Sequence, residues 1–348
     1  MAGGGKLENQ DRSIVVEPFG KHGQLLLGVL DGHGTFGHLV SSYLARHLPH
    51  VLYRHINAAA KHEAAAAGAA AAAAAAAGGE AGADASAVNG AAGGPLAARP
   101  AGRAAWLPFG AAFADVDRML CGSGVDVLES GSTAVVCHLD LDAARLATAW
   151  VGDSRAVLAA RGAGGGRWRA IALSDDHKPE RPDEKVRILL NGGRVEQLQD
   201  SFGRRGGPHR VWFRHLNYPG LAMSRAFGDL PCRRLGVHPE PEVTEVDLGP
   251  EWGAKRRSGG GGAGGGGPRS WGWGGKGAGC DELMILIASD GVWEYMDNQE
   301  AVDVLAGQPD ASAGAAALVS AAVDRWQAVD PSYIDDITVV VARLHRGQ

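Results

Sequence analysis

Hydrophobic residues in this chain gather into short runs that stop on acidic residues. Residues 25–30 (LLLGVL) end at Asp31 and the Gly32-His33-Gly34 turn, and residues 283–289 (LMILIAS) end at Asp290-Gly291. Residues 147–151 (ATAWV) run into Gly152-Asp153, whereas Asp335 and Asp336 precede the apolar run that begins at Ile337. Apolar runs of this length bounded by glycine predict buried strands. The end of one antiparallel strand lies beside the start of its neighbour, so these carboxylates can share a single edge of the sheets. Gathered carboxylates repel and resist desolvation unless something positive sits between them. Hard divalent cations with oxygen ligands meet that need.

The remaining pattern fills in the architecture. Residues 11–16 predict another strand, and residues 35 to about 57 a helix that Pro49 should kink or divide. Residues 58–105 are rich in Ala and Gly; the poly-Ala tract can prolong the preceding helix without packing on anything. A helix is expected over 107–120, three successive strands between 130 and 161, and a short helix over 181–191, with Pro182 in its first turn and Gly192-Gly193 closing it. Residues 196–220 read as polar, basic and irregular, and residues 241–248 as a strand. A second Gly-rich insertion, 253–279, carries Trp271 and Trp273 and reads as a biased loop. A helix over 311–326 and a strand over 337–344 close the chain. This order is not a regular βαβ alternation, and it predicts an α+β fold of two mostly antiparallel sheets covered by helices.

Composition narrows the chemistry. A net charge of −5 argues against a nucleic-acid partner of the usual basic kind. The cysteines at 121, 137, 232 and 280 lie far apart without a CxxC pair, which disfavours a structural zinc site or a secreted disulfide framework. The N-terminus lacks an apolar signal core, no apolar span is long enough for a bilayer, and Met-Ala-Gly does not match the myristoylation pattern. A soluble, intracellular chain is expected.

Seven segments then occur in a recognisable order: DGHG (31–34), SGSTAVV (130–136), VGDSRAVL (151–158), DHKP (176–179), LAMSRAFGD (221–229), ASDGVWEYM (288–296) and DDITVVV (335–341). With NQD (9–11), the chain resembles the metal-dependent serine/threonine protein phosphatases of type 2C. The resemblance implies a four-layer α-β-β-α sandwich and a single phosphatase domain over 6–346, interrupted at 58–105 and 253–279. It implies two Mg²⁺ or Mn²⁺ ions per site and a weaker third. Asp31 would bridge the pair, the Gly32 carbonyl would bind one ion, and Asp290 and Asp335 would complete the ligands of the other. Asp11 resembles the carboxylate that holds a metal-bound water, Asp153 a ligand of the third ion, His33 the general acid and Lys6 a phosphate-binding residue. A hydroxide shared by the two metals would attack phosphorus in line, and His33 would protonate the departing alkoxide. The expected partner is a phosphorylated protein, met by a monomer in the cytoplasm or nucleus, with no membrane or nucleic acid involved.

Other motif residues read as structural: Asp229 as a turn organiser, His177 as a fold stabiliser, Asp336 as non-ligating, Ser132 and Thr133 as local hydrogen-bond formers, and Ser224 and Arg225 as pins before the substrate flap. Three positions depart from the commonest family pattern. Gln10 stands where a metal-binding Glu is frequent, Lys6 where an Arg is, and Glu294 where an Asp supports the third-metal site. An amide can ligate without charge, and Lys is a point charge where Arg is a bidentate fork. These departures leave open a catalytically weak or inactive homologue that binds a phosphoprotein as a regulatory module. A third reading is a hydrolase of small phosphate esters.

Overall fold

Successive side chains of a strand point to opposite faces, and in this chain each face meets a different core. Leu26 and Leu30 of the strand Gln24–Leu30 join Leu44, Leu48 and Phe113 of the helices, while Leu27 and Val29 join Leu158 and Ile285 of a second sheet. Within Cys280–Ala288, Leu283, Ile285 and Ile287 face the core between the sheets, and Met284, Leu286 and Ala288 pack with Val302, Leu305 and Leu318. A strand buried on both sides reads as an unbroken apolar run rather than an alternating one. These features come from a computed structural model, which describes residues 8–77, 99–100, 103–162, 165–199, 202–249, 252 and 280–345.

The first sheet runs Arg12–Val16, Gln24–Leu30, Ala134–Asp140, Arg145–Val151, Glu242–Asp247 and Arg99–Pro100 in spatial order, with each neighbouring pair antiparallel. The second runs Val339–His345, Cys280–Ala288, Arg155–Gly162 and Arg169–Ala172, again antiparallel. Helices Gly37–Ala77 and Arg103–Cys121 cover the first sheet, and Asn298–Ala306 and Ala311–Val329 cover the second. The result is the expected α-β-β-α sandwich. Among the described residues no helix is long and apolar enough to cross a membrane, and Cys121, Cys137 and Cys232 are free thiols.

Two expectations need correction, and one helix lay outside them. Pro49 does not divide its helix, which runs unbroken from Gly37 to Ala77. Leu44, Leu48, Val51 and Leu52, on both sides of the proline, are buried in one core, and that packing offsets a cost of about 3 kcal/mol for an interior proline. Residues 196–220 are not irregular. Gly193–Gln199 and Arg205–Phe213 form an antiparallel hairpin, extended by Pro219–Leu221. Its signal is weak because few positions turn inward: Val195 pairs with Val211, and both pack on Ile188, while Leu198 and Phe202 are exposed. The helix Asn298–Ala306 was not anticipated, although Asp297 and Glu300 form a capping box at its start. Residues 78–98, 101 and 102 of the first Ala/Gly-rich insertion and all of residues 253–279, with Trp271 and Trp273, lie outside the described residues.

Candidate active site

Asp31 leaves the strand Gln24–Leu30 of the first sheet, and Asp290 leaves Cys280–Ala288 of the second. Asp335 lies four residues before Val339–His345, the neighbour of that strand. Asp153 sits in the turn that carries the chain from Arg145–Val151 in one sheet to Arg155–Gly162 in the other. The carboxylates therefore meet where the edges of the two sheets adjoin. Asp31, Gly32, His33, Asp290 and Asp335 line one cleft of about 740 Å³ together with Lys178, Glu294 and Arg210.

The backbone around them is closely tied. Thr133 accepts a hydrogen bond from the Asp31 amide at 3.1 Å, returns one from its own amide at 2.9 Å, and shares a 2.7 Å hydroxyl contact with Ser154. A side chain at position 32 would collide with the carbonyls of Gln10 and Gly37, so only glycine fits there. Ser289 ties the sheets together. Its hydroxyl donates to Asp11 at 2.7 Å and accepts from the Thr338 amide at 3.0 Å. Asp336 accepts from the Gln10 amide at 2.9 Å, which is the structural role expected of it.

The charges strain against one another. Burial raises the Asp31 carboxyl well above the ordinary range, and Asp290, Asp11, Asp153 and Asp335 raise it further. Burial also lifts Asp290 to about 7, with Asp153 and Asp335 adding to the rise and Lys178 opposing it. Asp11 is raised chiefly by burial. One oxygen of Asp11 and one of Asp153 are buried without a hydrogen-bond partner. Buried carboxylates with unused oxygens, held in mutual repulsion, suit hard divalent cations. A different acidic trio, Asp183, Glu184 and Glu242, has ligand atoms within 4.8 Å of one another. Arg181, Arg187 and Arg225 already neutralise it.

His33 belongs to a small sheet in which Gly32–Gly34 pairs with Ser130–Ser132, which pairs in turn with Phe227–Gly228. This arrangement puts Asp229 against the imidazole, with Oδ2 2.7 Å from Nε2. Asp229 takes a left-handed conformation, φ 47°, and its amide donates to the Ser130 carbonyl at 3.1 Å. A side chain at Gly131 would strike both members of the pair. Asp229 thus does more than organise a turn, and sequence reasoning missed the pairing because 196 residues separate the partners.

Lys178 was also missed. Its ammonium lies 2.6 Å from Asp153 Oδ2, placed there by DHKP, whose His177 clamps the preceding turn. The His177 amide donates to the Gly152 carbonyl at 2.9 Å, and its Nδ1 accepts from the Gly152 amide at 3.1 Å. Gln10 turns its amide nitrogen to the Gly34 carbonyl, 3.0 Å away. Lys6 lies outside the described residues.

A sandwich with carboxylates gathered at the joined sheet edges has the site of a metal-dependent hydrolase. Comparison with known proteins narrows the class. The family model described as Protein phosphatase 2C matches residues 111–254. A rice (Oryza sativa subsp. japonica) relative described as probable protein phosphatase 2C 48 is 34% identical over 346 residues, covering 97% of this chain and 80% of its own length. A second rice relative, probable protein phosphatase 2C 12, is 36% identical over 345 residues, covering 98% and 79%. Among solved structures, the serine-threonine phosphatase 2C from Toxoplasma gondii superposes with a TM-score of 0.65 at 18% identity, covering 98% of this chain and 92% of that one. At that identity the match establishes the fold. The chain belongs to the protein phosphatase 2C family: it is a metal-dependent serine/threonine protein phosphatase, of a family generally served by Mg²⁺ or Mn²⁺.

Proposed function

We propose that residues 6–346 act as one domain that hydrolyses phosphoserine and phosphothreonine in proteins, with Asp31, the Gly32 carbonyl, Asp290 and Asp335 holding two divalent cations. The observation that carries this reading is the meeting of Asp31, Asp290 and Asp335 in the cleft that also holds His33. Asp153, electrostatically coupled to Asp31 and Asp290, is the ligand available to a weaker third ion. Gln10 donates from Nε2 to the Gly34 carbonyl, and its amide oxygen is the atom it would offer to a cation. When bound, two such cations lower the pKa of water and neutralise phosphoryl oxygens.

The protein's own groups do the rest. Asp11, held by the Ser289 hydroxyl, offers an oxygen to an attacking water. His33 supplies the proton that a serine or threonine alkoxide needs on leaving. Asp229 lies 2.7 Å from Nε2 and fixes the ring that carries the proton. No cysteine is called on.

Phosphate release from a phosphothreonine peptide, measured with Mn²⁺ or Mg²⁺ and then with EDTA, tests the reading. Turnover that chelation abolishes supports it. Peptide binding without turnover supports the regulatory-module reading, and comparable turnover of small phosphorylated metabolites supports the small-ester reading. The role of His33 has its own signature. His33→Gln should lower kcat on the peptide by about 10²- to 10⁴-fold. It should affect p-nitrophenyl phosphate much less, because that leaving group departs without a proton. Asp229→Asn should show the same contrast at smaller size.

A further inference from the structure

The acidic cluster contains a positive charge of its own. Lys178 places its ammonium 2.6 Å from one oxygen of Asp153, a residue with no solvent exposure, and Asp153's other oxygen has no protein partner. The contact is built rather than incidental, because the backbone on both sides of it is fixed. His177 is bonded twice to Gly152, the residue before Asp153. Asp176 is gripped by Arg155 through two hydrogen bonds of 2.8 and 2.7 Å. The Lys178 amide donates to the Asp176 carbonyl at 2.8 Å, and its carbonyl accepts from Arg181 at 3.0 Å. The lysine is three-quarters buried and lines the cleft beside Asp290.

A cation approaching the unused oxygen of Asp153 meets this ammonium on the same carboxylate. Like charges at such separations, shielded from water, oppose one another strongly. Lysine is also a compact point charge, and its ammonium lies against the Asp153 carboxylate itself.

We infer that Lys178 is a resident cation that sets the metal affinity of the Asp153 side of the cluster, holding that position weak while leaving the Asp31, Asp290 and Asp335 side open. The inference rests on the metal reading above. It makes the number of ions bound at a given concentration a property of one side chain outside the ligand set.

The test is titration of the full chain with Mn²⁺ alone, followed by calorimetry and by the electron-spin resonance signal of free Mn²⁺. Lys178→Met removes the charge and keeps the aliphatic stem, Lys178→Gln removes it and keeps a hydrogen-bonding tip, and Lys178→Arg keeps it. Both neutral variants should bind their weakest Mn²⁺ at least about tenfold more tightly than the wild type. Lys178→Arg should match the wild type, and adding Asp153→Asn to Lys178→Met should erase the gain. Equal stoichiometry and affinity in the wild type and in folded Lys178→Met or Lys178→Gln protein would overturn the inference and leave the two-ion reading standing. A wild type that binds no Mn²⁺ would overturn both.

Discussion

Asp31→Asn is expected to lower phosphatase activity at least about a thousandfold and, in EDTA, to raise the melting temperature. The two effects share one cause. Asp31 faces Asp290, Asp11, Asp153 and Asp335, and its burial together with their charges disfavours its ionised form. In the metal-free protein, a neutral amide of nearly the same shape relieves that repulsion. A carboxyl whose pKa is raised on folding lowers stability as pH climbs through its ordinary range toward its folded value. The gain from the amide should therefore be large at pH 7 and fade toward pH 4. With metal, the order reverses. The wild type gains stability as Mn²⁺ is added, while Asp31→Asn gains little because the residue proposed to bridge the ions has lost its charge. Scanning calorimetry of both proteins, with EDTA and with Mn²⁺, reads all of this at once. A variant less stable than the wild type in EDTA would show that Asp31 is held by favourable contacts rather than kept under strain for function.

That strain explains why the carboxylates were legible in the sequence. Asp31, Asp153 and Asp290 each follow a strand buried on both faces, so the apolar run advertises the strand and its end fixes the residue. The groups that serve them carry no such mark. His33 and Asp229 meet through strands of two or three residues, Gly32–Gly34, Ser130–Ser132 and Phe227–Gly228. Such strands are too short and glycine-rich for periodicity to register. At Gly131 only the packed pair above it shows why no side chain fits. Ser289 is one hydroxyl at the end of an apolar run, and its bond to Asp11 spans 278 positions. Lys178 stood inside DHKP, but nothing local says which carboxylate an ammonium will find. The hairpin 193–213 failed for a different reason: Val195, Val211 and Trp212 are its buried apolar side chains among many exposed or half-buried positions, so its polar alternation resembles a loop.

Glu184→Ala should cost about 3–5 kcal/mol of stability, the scale for removing one partner of a buried charge group. Glu184 is fully buried on the helix Pro182–Leu190. It accepts two 2.5 Å bonds from Arg187, bonds of 2.8 and 3.1 Å from Arg225, and one from the Ser224 hydroxyl. Without the carboxylate, Arg187 and Arg225 face each other with little compensation, and Glu242 is left as the acid bonded to Arg225, at 3.0 Å. Burial alone would raise the Glu184 pKa, but the hydrogen bonds from Arg187 and Arg225 prevail and hold it far below the ordinary 4.5. Glu242 is likewise penalised by burial, yet His177, 3.6 Å away, and a hydrogen bond from Arg181 draw it down to about 2. A depressed carboxyl gives stability that is complete above its unfolded pKa and drains away as pH falls toward the folded value. The gap between wild type and Glu184→Ala in urea denaturation should therefore be widest near pH 7 and narrow as pH falls below about 4.5. A gap independent of pH would assign the loss to packing alone. The same substitution reaches the chemistry, because Ser224 and Arg225 lie just before Phe227–Gly228 and Asp229. Loosening them frees the carboxylate that orients His33, so kcat on a phosphopeptide should fall while turnover of p-nitrophenyl phosphate, which needs no proton from the histidine, is largely retained.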